Sequence, residues 1–319
     1  MARHAMFTDY NRPEGFSTRW AADRPTLLDF AVINGAGGLA DLFDETVKRT
    51  PELQIIGMNP IKGTVYKSMV RTANPTVAFR HANEGAKTGK ATRTLQQVDA
   101  HIINPRWECD AAAADASDDG PENFIQDEAE AILEAVWQHL GAQFYYGAKN
   151  DKKGHAGLVD LLDPAYVVDV AGTTTAQHTS VWGIRLGDRN VDWVIGNGGS
   201  LTVSPVRIGD ATDKDGNRFT AYIQELAAHI GLRVRNRIAV GRIKKLTEDA
   251  NKGWNDGHTA TLLKKMGAQR PDVLLASQTQ VEELRMSRAT DLLPQPPMPT
   301  ESMGIPIQVT DSIKIGEAI

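Results

Sequence analysis

The chain has 319 residues, enough to bury a core in one large or two modest domains. Apolar residues make up 41%, charged residues 24%, and the net charge is −5, which argues against wrapping nucleic acid over a broad basic face. A single cysteine, Cys109, excludes an internal disulfide framework and a multi-cysteine metal site, and no apolar run approaches the ~20 residues that span a bilayer.

Residues 1–50 read as an arm. Arg3, Arg12, Arg19 and Arg24 mix with Pro13, Gly15 and Pro25, and Phe7, Phe16 and Trp20 follow no period. A segment with aromatic anchors but no period is either loose or laid along a neighbour. An apolar run at 27–33 is broken by Asn34-Gly35-Ala36-Gly37-Gly38, and 39–47 fits one short helix. Gly35-Ala36-Gly37-Gly38-Leu39-Ala40 matches a dinucleotide-binding fingerprint. That chemistry needs an acid ending the next strand, about 20 residues on. Ile55-Ile56-Gly57-Met58-Asn59 supplies none, so a plain turn is the expectation.

Residues 60–104 read as two long strands joined by a polar loop at 83–90. Val65, Lys67, Met69 and Arg71 alternate with Tyr66, Ser68 and Val70. After Asn74-Pro75, Val77 and Phe79 alternate with Thr76, Ala78 and Arg80, and 95–103 runs back. Neither limb has a strong apolar face. An isolated two-stranded ribbon is marginal in water, so this one is expected to dock, with another copy of the chain as a candidate surface.

Residues 121–147 carry the longest helical pattern. Ile125, Ala129, Ile132, Val136, Leu140 and Phe144 recur at steps of three and four, and Leu133, Trp137 and Tyr145 widen their face. Asp118, Asp119 and Gly120 are cap candidates, Pro121 suits the first turn, and Gly147 supplies the stop. Carboxylates crowd the first two turns, where the helix dipole favours them. The rod is roughly 38 Å long and needs a sheet or another subunit over its apolar face.

A strand is expected at 166–170 and sheet over 180–246, with a hairpin turn at Asp213-Lys214-Asp215-Gly216-Asn217. Leu232, Val234, Ile238 and Val240 interleave with Arg233, Arg235 and Arg237, which suggests a strand with one wet face, or with one face meeting a partner. The tail reads as a helix at 259–266, a buried strand at 272–276, a helix at 279–287, an irregular Pro-rich piece at 292–299 and a last strand at 305–310.

Chemical motifs are thin. Asp213-Lys214-Asp215-Gly216 resembles a calcium loop, but Tyr222 stands where the bidentate glutamate belongs. His4, His81, His101, His139, His155, His178, His229 and His258 show no ligand spacing, and His139 reads as a partly buried or capping group. Ser200 fails the nucleophile-elbow spacing. Asp160, Asp163 and Asp169 are neighbours without a constellation. A structural or binding protein is expected, with no enzyme activity, cofactor or metal.

Residues 71–85, Arg71-Thr72-Ala73-Asn74-Pro75 through Asn83-Glu84-Gly85, resemble the extended-loop segment of tailed-bacteriophage major capsid proteins, in their podovirus-like branch. The similarity runs in order from roughly 45 to 315. Phe144-Tyr145-Tyr146-Gly147, Gly157-Leu158, Thr179-Ser180-Val181-Trp182, Gly231-Leu232-Arg233-Val234-Arg235, Arg242-Ile243 and the stretch 304–313 all resemble family segments. Residues 190–199 lack a lysine that the family often carries there.

The resemblance implies an α+β tailed-phage major capsid fold. Its parts would be an N-terminal arm at 1–54, an extended β-ribbon loop at 55–108, a peripheral domain at 109–249 with spine helix 121–147, and an axial domain at 250–319. It implies a structural protein that self-assembles into hexamers and pentamers of an icosahedral shell around double-stranded DNA. Implied partners are the chain itself, a separate scaffolding protein, a portal and a decoration protein. The DNA would be held without sequence-specific contact, and no membrane is involved. Synthesis and assembly are expected in the host cytoplasm and residence in the virion capsid. Arg71, Arg80, Lys87, Lys90 and Arg93 are the expected inter-subunit contacts on the loop. Two alternatives stand beside this: a nanocompartment shell of the same fold, and a soluble nucleotide-binding enzyme using the Gly35–Gly38 turn.

Overall fold

The computed structural model describes residues 49–317 except 87, 119, 188, 200, 250 and 290–295. The arm before residue 49, its Gly35–Gly38 turn and the helix expected at 39–47 lie outside the described residues.

The chain enters through α1 (Glu52–Ile55) and β1 (Met58–Pro60). A ribbon follows, β2 (Val65–Ala73) antiparallel to β3 (Thr92–Asp99). Its first limb stops at Ala73, short of the alternation at 76–80, which is loop. Pro75 offers no N–H to a ladder, so the Val77/Phe79 alternation has no partner strand to act on. Gly89 lets the returning chain close on this loop, because a Cβ there would lie 2.6 Å from the Thr76 carbonyl.

Beyond the ribbon come β4 (His101–Ile103), β5 (Arg106–Asp110), α2 (Ala111–Asp115) and the long helix α3 (Pro121–Tyr146). The α3 period and bounds match the expectation, and of the three cap candidates Gly120 is the N-cap, with no side-chain hydrogen bond. The first turns of α3 leave Glu122, Gln126, Asp127 and Glu128 exposed and Ile125 half-buried. Every residue from Gly141 to Gly147 is buried.

Gly147 ends α3 at φ +51, with its N–H donating to the Gln143 carbonyl. A Cβ there would overlap the Gly157 backbone and the Asp160 carboxylate. Gly147→Ala is therefore expected to destabilise by about 1–3 kcal/mol, read as a lowered calorimetric Tm.

After α4 (Leu158–Leu161) come β6 (Val167–Asp169), β7 (Thr179–Ile184), β8 (Val191–Ile195), β9 (Leu201–Val203), β10 (Arg207–Thr212), β11 (Arg218–Val234) and β12 (Val240–Leu246). The chain finishes with α5 (Asp256–Met266), β13 (Val273–Ala276), α6 (Gln278–Ser287), β14 (Glu301–Ser302) and β15 (Ile305–Val309).

One seven-stranded sheet gathers on the 17-residue β11, which pairs with β4, β5, β8, β9 and β10, while β1 adds parallel to β8. The turn at 213–217 makes the expected hairpin of β10 and β11, with the Asp213 carboxylate accepting from the Asp215 and Asn217 amides. A six-stranded sheet has the order β14-β15-β13-β7-β12-β6. It draws β6, β7 and β12 from before residue 249 and β13 to β15 from after it, so it crosses the boundary expected there.

The buried end of α3 joins the two sheets. Phe144 lies 5.3 Å from Trp193 of the seven-stranded sheet, and Tyr145 lies 5.8 Å from Trp182 of the six-stranded one, centroid to centroid. Those four rings are fully buried and form the centre of the main core. A second core lies between the six-stranded sheet and α5 and α6, with Trp254, Leu262, Leu274 and Leu284 at its heart.

Candidate subunit interface

Residues opposite one another in an antiparallel pair share a face. On the ribbon, Tyr66 opposes Val98 and Ser68 opposes Gln96. This face turns onto the chain's own sheet. Tyr66 and Val98 pack with Ile61 and Val194, Gln96 Nε2 donates to the Val234 carbonyl at 3.1 Å, and Arg235 Nη2 donates to the Tyr66 hydroxyl at 2.8 Å. The other face pairs Val65 with Asp99, Lys67 with Gln97 and Met69 with Leu95. Among the described residues nothing covers it: Met69 is 68% exposed and Leu95 56%. Phe79, in the loop, is wholly exposed.

The five cations expected at an interface can now be placed. Arg80, Lys90 and Arg93 are exposed, and Arg80 Nη1 donates to the Glu84 carbonyl at 2.8 Å. Arg71 and Arg93 occupy one register pair of the ribbon. Lys87 lies outside the described residues. Residues 62–93 contain seven lysines and arginines against one glutamate. Residues 108–134, which lead into and along α3, contain ten aspartates and glutamates and no lysine or arginine. The chain thus carries a basic ribbon and an acidic helix start.

Three buried carboxylates hold the body beneath the ribbon. Asp192 and Arg233 face each other across β8 and β11, with Arg233 Nε donating at 2.7 Å and Nη2 completing a fork. The Arg233 guanidinium lies 4.5 Å from the Tyr66 ring centroid. Arg233 is fully buried, so the wet-face alternative fails at this position: a fixed carboxylate and an aromatic ring take the place of water, while Arg237 is exposed.

Glu317 accepts from Tyr146 Oη at 2.6 Å, Ser180 Oγ at 2.5 Å and Arg242 Nη2 at 2.8 Å. It ties the chain's C-terminal stretch to α3 and to the six-stranded sheet. Burial, then the Glu317 charge, pushes the Tyr146 hydroxyl far above its usual pKa.

Glu52, fully buried, accepts from Thr310 Oγ1 at 3.0 Å and from Ser312 Oγ. Burial pushes its pKa up to about 7, against hydroxyl donors that lower it. Because the folded value lies above the ordinary 4.5, the folded chain holds this proton where the unfolded chain has lost it. The associated stability is complete below about pH 4.5 and is lost as pH rises through about 7, roughly 3 kcal/mol in all. Denaturation series over that window are expected to show this decline in the wild type but not in E52Q.

Among the described residues no group of three or more His, Cys, Asp or Glu is placed to hold a metal, and no helix is long and apolar enough to cross a membrane. Cys109 is buried, and burial followed by the nearby Glu128 charge raises its thiol pKa. His155 is buried edge-on against Trp193, and burial pushes its pKa down to about 4, so it is neutral in the core.

A two-sheet body on a long helix, with a ribbon that docks one face on that body, is shared with solved structures of the tailed-phage capsid fold. Residues 52–273 match the family model for major capsid protein GP7, and the chain belongs to that family. It is a structural capsid-shell protein. A solved structure of bacteriophage Epsilon15 is similar at 17% identity and TM-score 0.52, over 80% of this chain and 84% of that one. The bacteriophage JBD30 capsid is similar at 9% identity and TM-score 0.51, over 82% of this chain and 89% of that one. An encapsulin from Synechococcus elongatus PCC 7942 is similar at 9% identity, over 65% of this chain and 90% of that one, with a TM-score of 0.45. No curated protein matches the chain.

Proposed function

We propose that this chain is the repeating subunit of an icosahedral shell of hexamers and pentamers around double-stranded DNA, and that its ribbon lies on the acidic start of α3 in a neighbouring copy. The observation that carries the contact is the ribbon's uncovered face, with Met69 and Leu95 flanked by Arg80, Lys90 and Arg93. Among the described residues this face has no cover and these three cations have no ion pair. A neighbour's Glu122, Asp127 and Glu128, exposed on α3, offer the complementary charge.

In this reading residues 1–54 are the arm, 55–108 carry the extended loop, and the peripheral domain is the seven-stranded sheet with α3. The axial unit is the six-stranded sheet with α5 and α6, wider than 250–319. A separate scaffolding protein sets the shell size, a portal fills one vertex, a decoration protein binds outside, and assembly takes place in the host cytoplasm. The net charge of −5 fits DNA packed without sequence-specific contact.

The test is a charge swap. R80E/K90E/R93E is expected to cut the assembled fraction at least ten-fold by sedimentation velocity, and adding E122K/D127K/E128K is expected to restore it. Assembly unchanged by the first triple, or not recovered by the second, sinks the contact. Particles holding one enzyme cargo and no DNA would assign the shell to a nanocompartment. Uniform closed shells from the chain expressed alone would remove the scaffolding protein from the scheme.

A further inference from the structure

Glu52 stands where the arm meets the body. It is the first residue of α1, three residues after Arg49, where the described chain begins. Its carboxyl points inward to the C-terminal stretch, accepting one hydroxyl from Thr310 and one from Ser312. The backbone repeats the tie: the Asp311 amide donates to the Arg49 carbonyl at 3.0 Å. α3 makes room for it at Gly141, where a Cβ would overlap both Ser312 Oγ and Glu52 Oε1. The arm root, the C-terminal stretch and α3 therefore meet at one carboxyl.

The surroundings of that carboxyl decide its chemistry. From the C-terminal stretch it meets the two hydroxyls, while the Asp311 side chain turns outward to within 4.0 Å of Arg49. From α3 it faces the Tyr145 hydroxyl, itself buried. From β8 the Trp193 indole reaches only the Glu52 carbonyl, at 3.5 Å. Arg49, the nearest cation along the chain, is exposed and paired with Glu134 at 3.5 Å. No lysine or arginine among the described residues forms an ion pair with Glu52. A neutral carboxyl is satisfied here when one hydroxyl donates to its carbonyl oxygen and the other turns to accept its O–H. The two hydroxyls are a poor substitute for water or a cation around a full negative charge.

We propose that Glu52 is a proton-operated latch between the arm root and the C-terminal stretch, closed while the carboxyl is neutral and released when it ionises. Ionisation places an uncompensated charge in the core. The least disruptive relief is for α1 to swing its first residue to water, which breaks the Thr310, Ser312 and Arg49 ties together. The released elements are the first turn of α1 and residues 310–312, and the direction in which the arm leaves the body is freed with them. The same proton that closes the latch belongs to a group poised near neutral pH, so modest changes of medium would work it. The latch is a property of one subunit and stands whether or not the ribbon contact proposed above is correct.

Hydrogen exchange of the purified full-length protein, corrected for the intrinsic pH dependence of exchange, tests it. Protection of the Leu53, Asp311 and Ser312 amides is expected to fall at least ten-fold between pH 6 and pH 8.5. E52Q, neutral at every pH, is expected to hold its protection throughout. S312A removes a donor that favours the charged form, so its loss of protection is expected at higher pH than in the wild type. The S312A shift remains readable if E52Q fails to fold. Protection that stays constant in the wild type, falls equally in E52Q, or falls at an unmoved midpoint in S312A overturns the latch.

Discussion

Asp192→Ala is expected to destabilise the folded chain by about 3–5 kcal/mol, a large share of the 5–15 kcal/mol that holds a typical domain together. Asp192 and Arg233 are both inaccessible to water, at 1% and 0% of side-chain exposure. Their attraction is not the source of the effect. The source is what remains: a guanidinium in the core with its main acceptor gone. The Tyr66 ring face softens this but cannot accept the fork of hydrogen bonds. Asn59, with its amide turned to present oxygen, accepts from Arg233 Nη1 at 3.2 Å and would be left as the main polar partner. The loss should spread along the chain, because Tyr66 roots the ribbon and Asp192 lies in the strand that carries Trp193. Removing both charges is a different experiment. D192L/R233M takes away the ion and its partner together and is expected to recover most of the stability. Denaturant midpoints of the three proteins check this, and an Asp192→Ala protein as stable as the wild type would show that water reaches the pair in solution.

These buried charges also mark where sequence reading stops. The helix α3 was legible because eight or nine apolar positions repeat at its own period, and Gly147 was legible because a left-handed stop needs glycine. The β10–β11 hairpin was legible in its turn residues. Arg233 was left undecided because Arg-aliphatic alternation has the same period whether the arginine side meets water or a carboxylate. The signal that could have decided it is Asp192, an acid inside the otherwise apolar run Val191-Asp192-Trp193-Val194-Ile195, where a carboxylate implies a buried cation. Val77 and Phe79 were misread because alternation needs a partner strand, and Pro75 denies one. Glu52 and Glu317 could not be found locally, since their partners lie 258 and 260 residues away in one case and 75 to 171 in the other. The six-stranded sheet was hidden for a related reason. Its strands come from both sides of residue 249, and strand pairing leaves no trace in composition. Of the ribbon, its two strands were legible. Which face turns inward depends on Tyr66 and Arg235 meeting across 169 residues.

Glu317→Ala is the second large expected loss, again about 3–5 kcal/mol, because it strands a buried arginine. Arg242 lies on β12, 5% exposed, and its remaining polar partner would be the Ser180 hydroxyl at 2.9 Å. Trp182 supports it through its ring face at 4.8 Å but offers no acceptor there. Tyr146 would keep the Lys314 amide as a donor at 2.8 Å and lose the acceptor for its own hydroxyl hydrogen. The damage therefore falls on both ends of one joint: the last turn of α3 and the middle of the six-stranded sheet. Exchange protection at Tyr146 and across β7 and β12 is expected to fall together, while β10 and the far end of β11 keep theirs. Glu317→Gln removes the charge and keeps one acceptor oxygen, which can face Arg242 or Tyr146 but not both, because its NH2 takes the place of the other carboxylate oxygen. It is expected to recover about half of the loss. If Glu317→Ala loosened only the last few residues and left β12 protected, the C-terminal carboxylate would be a passenger on the sheet. Arg242 would then be satisfied by Ser180 and the Trp182 ring alone.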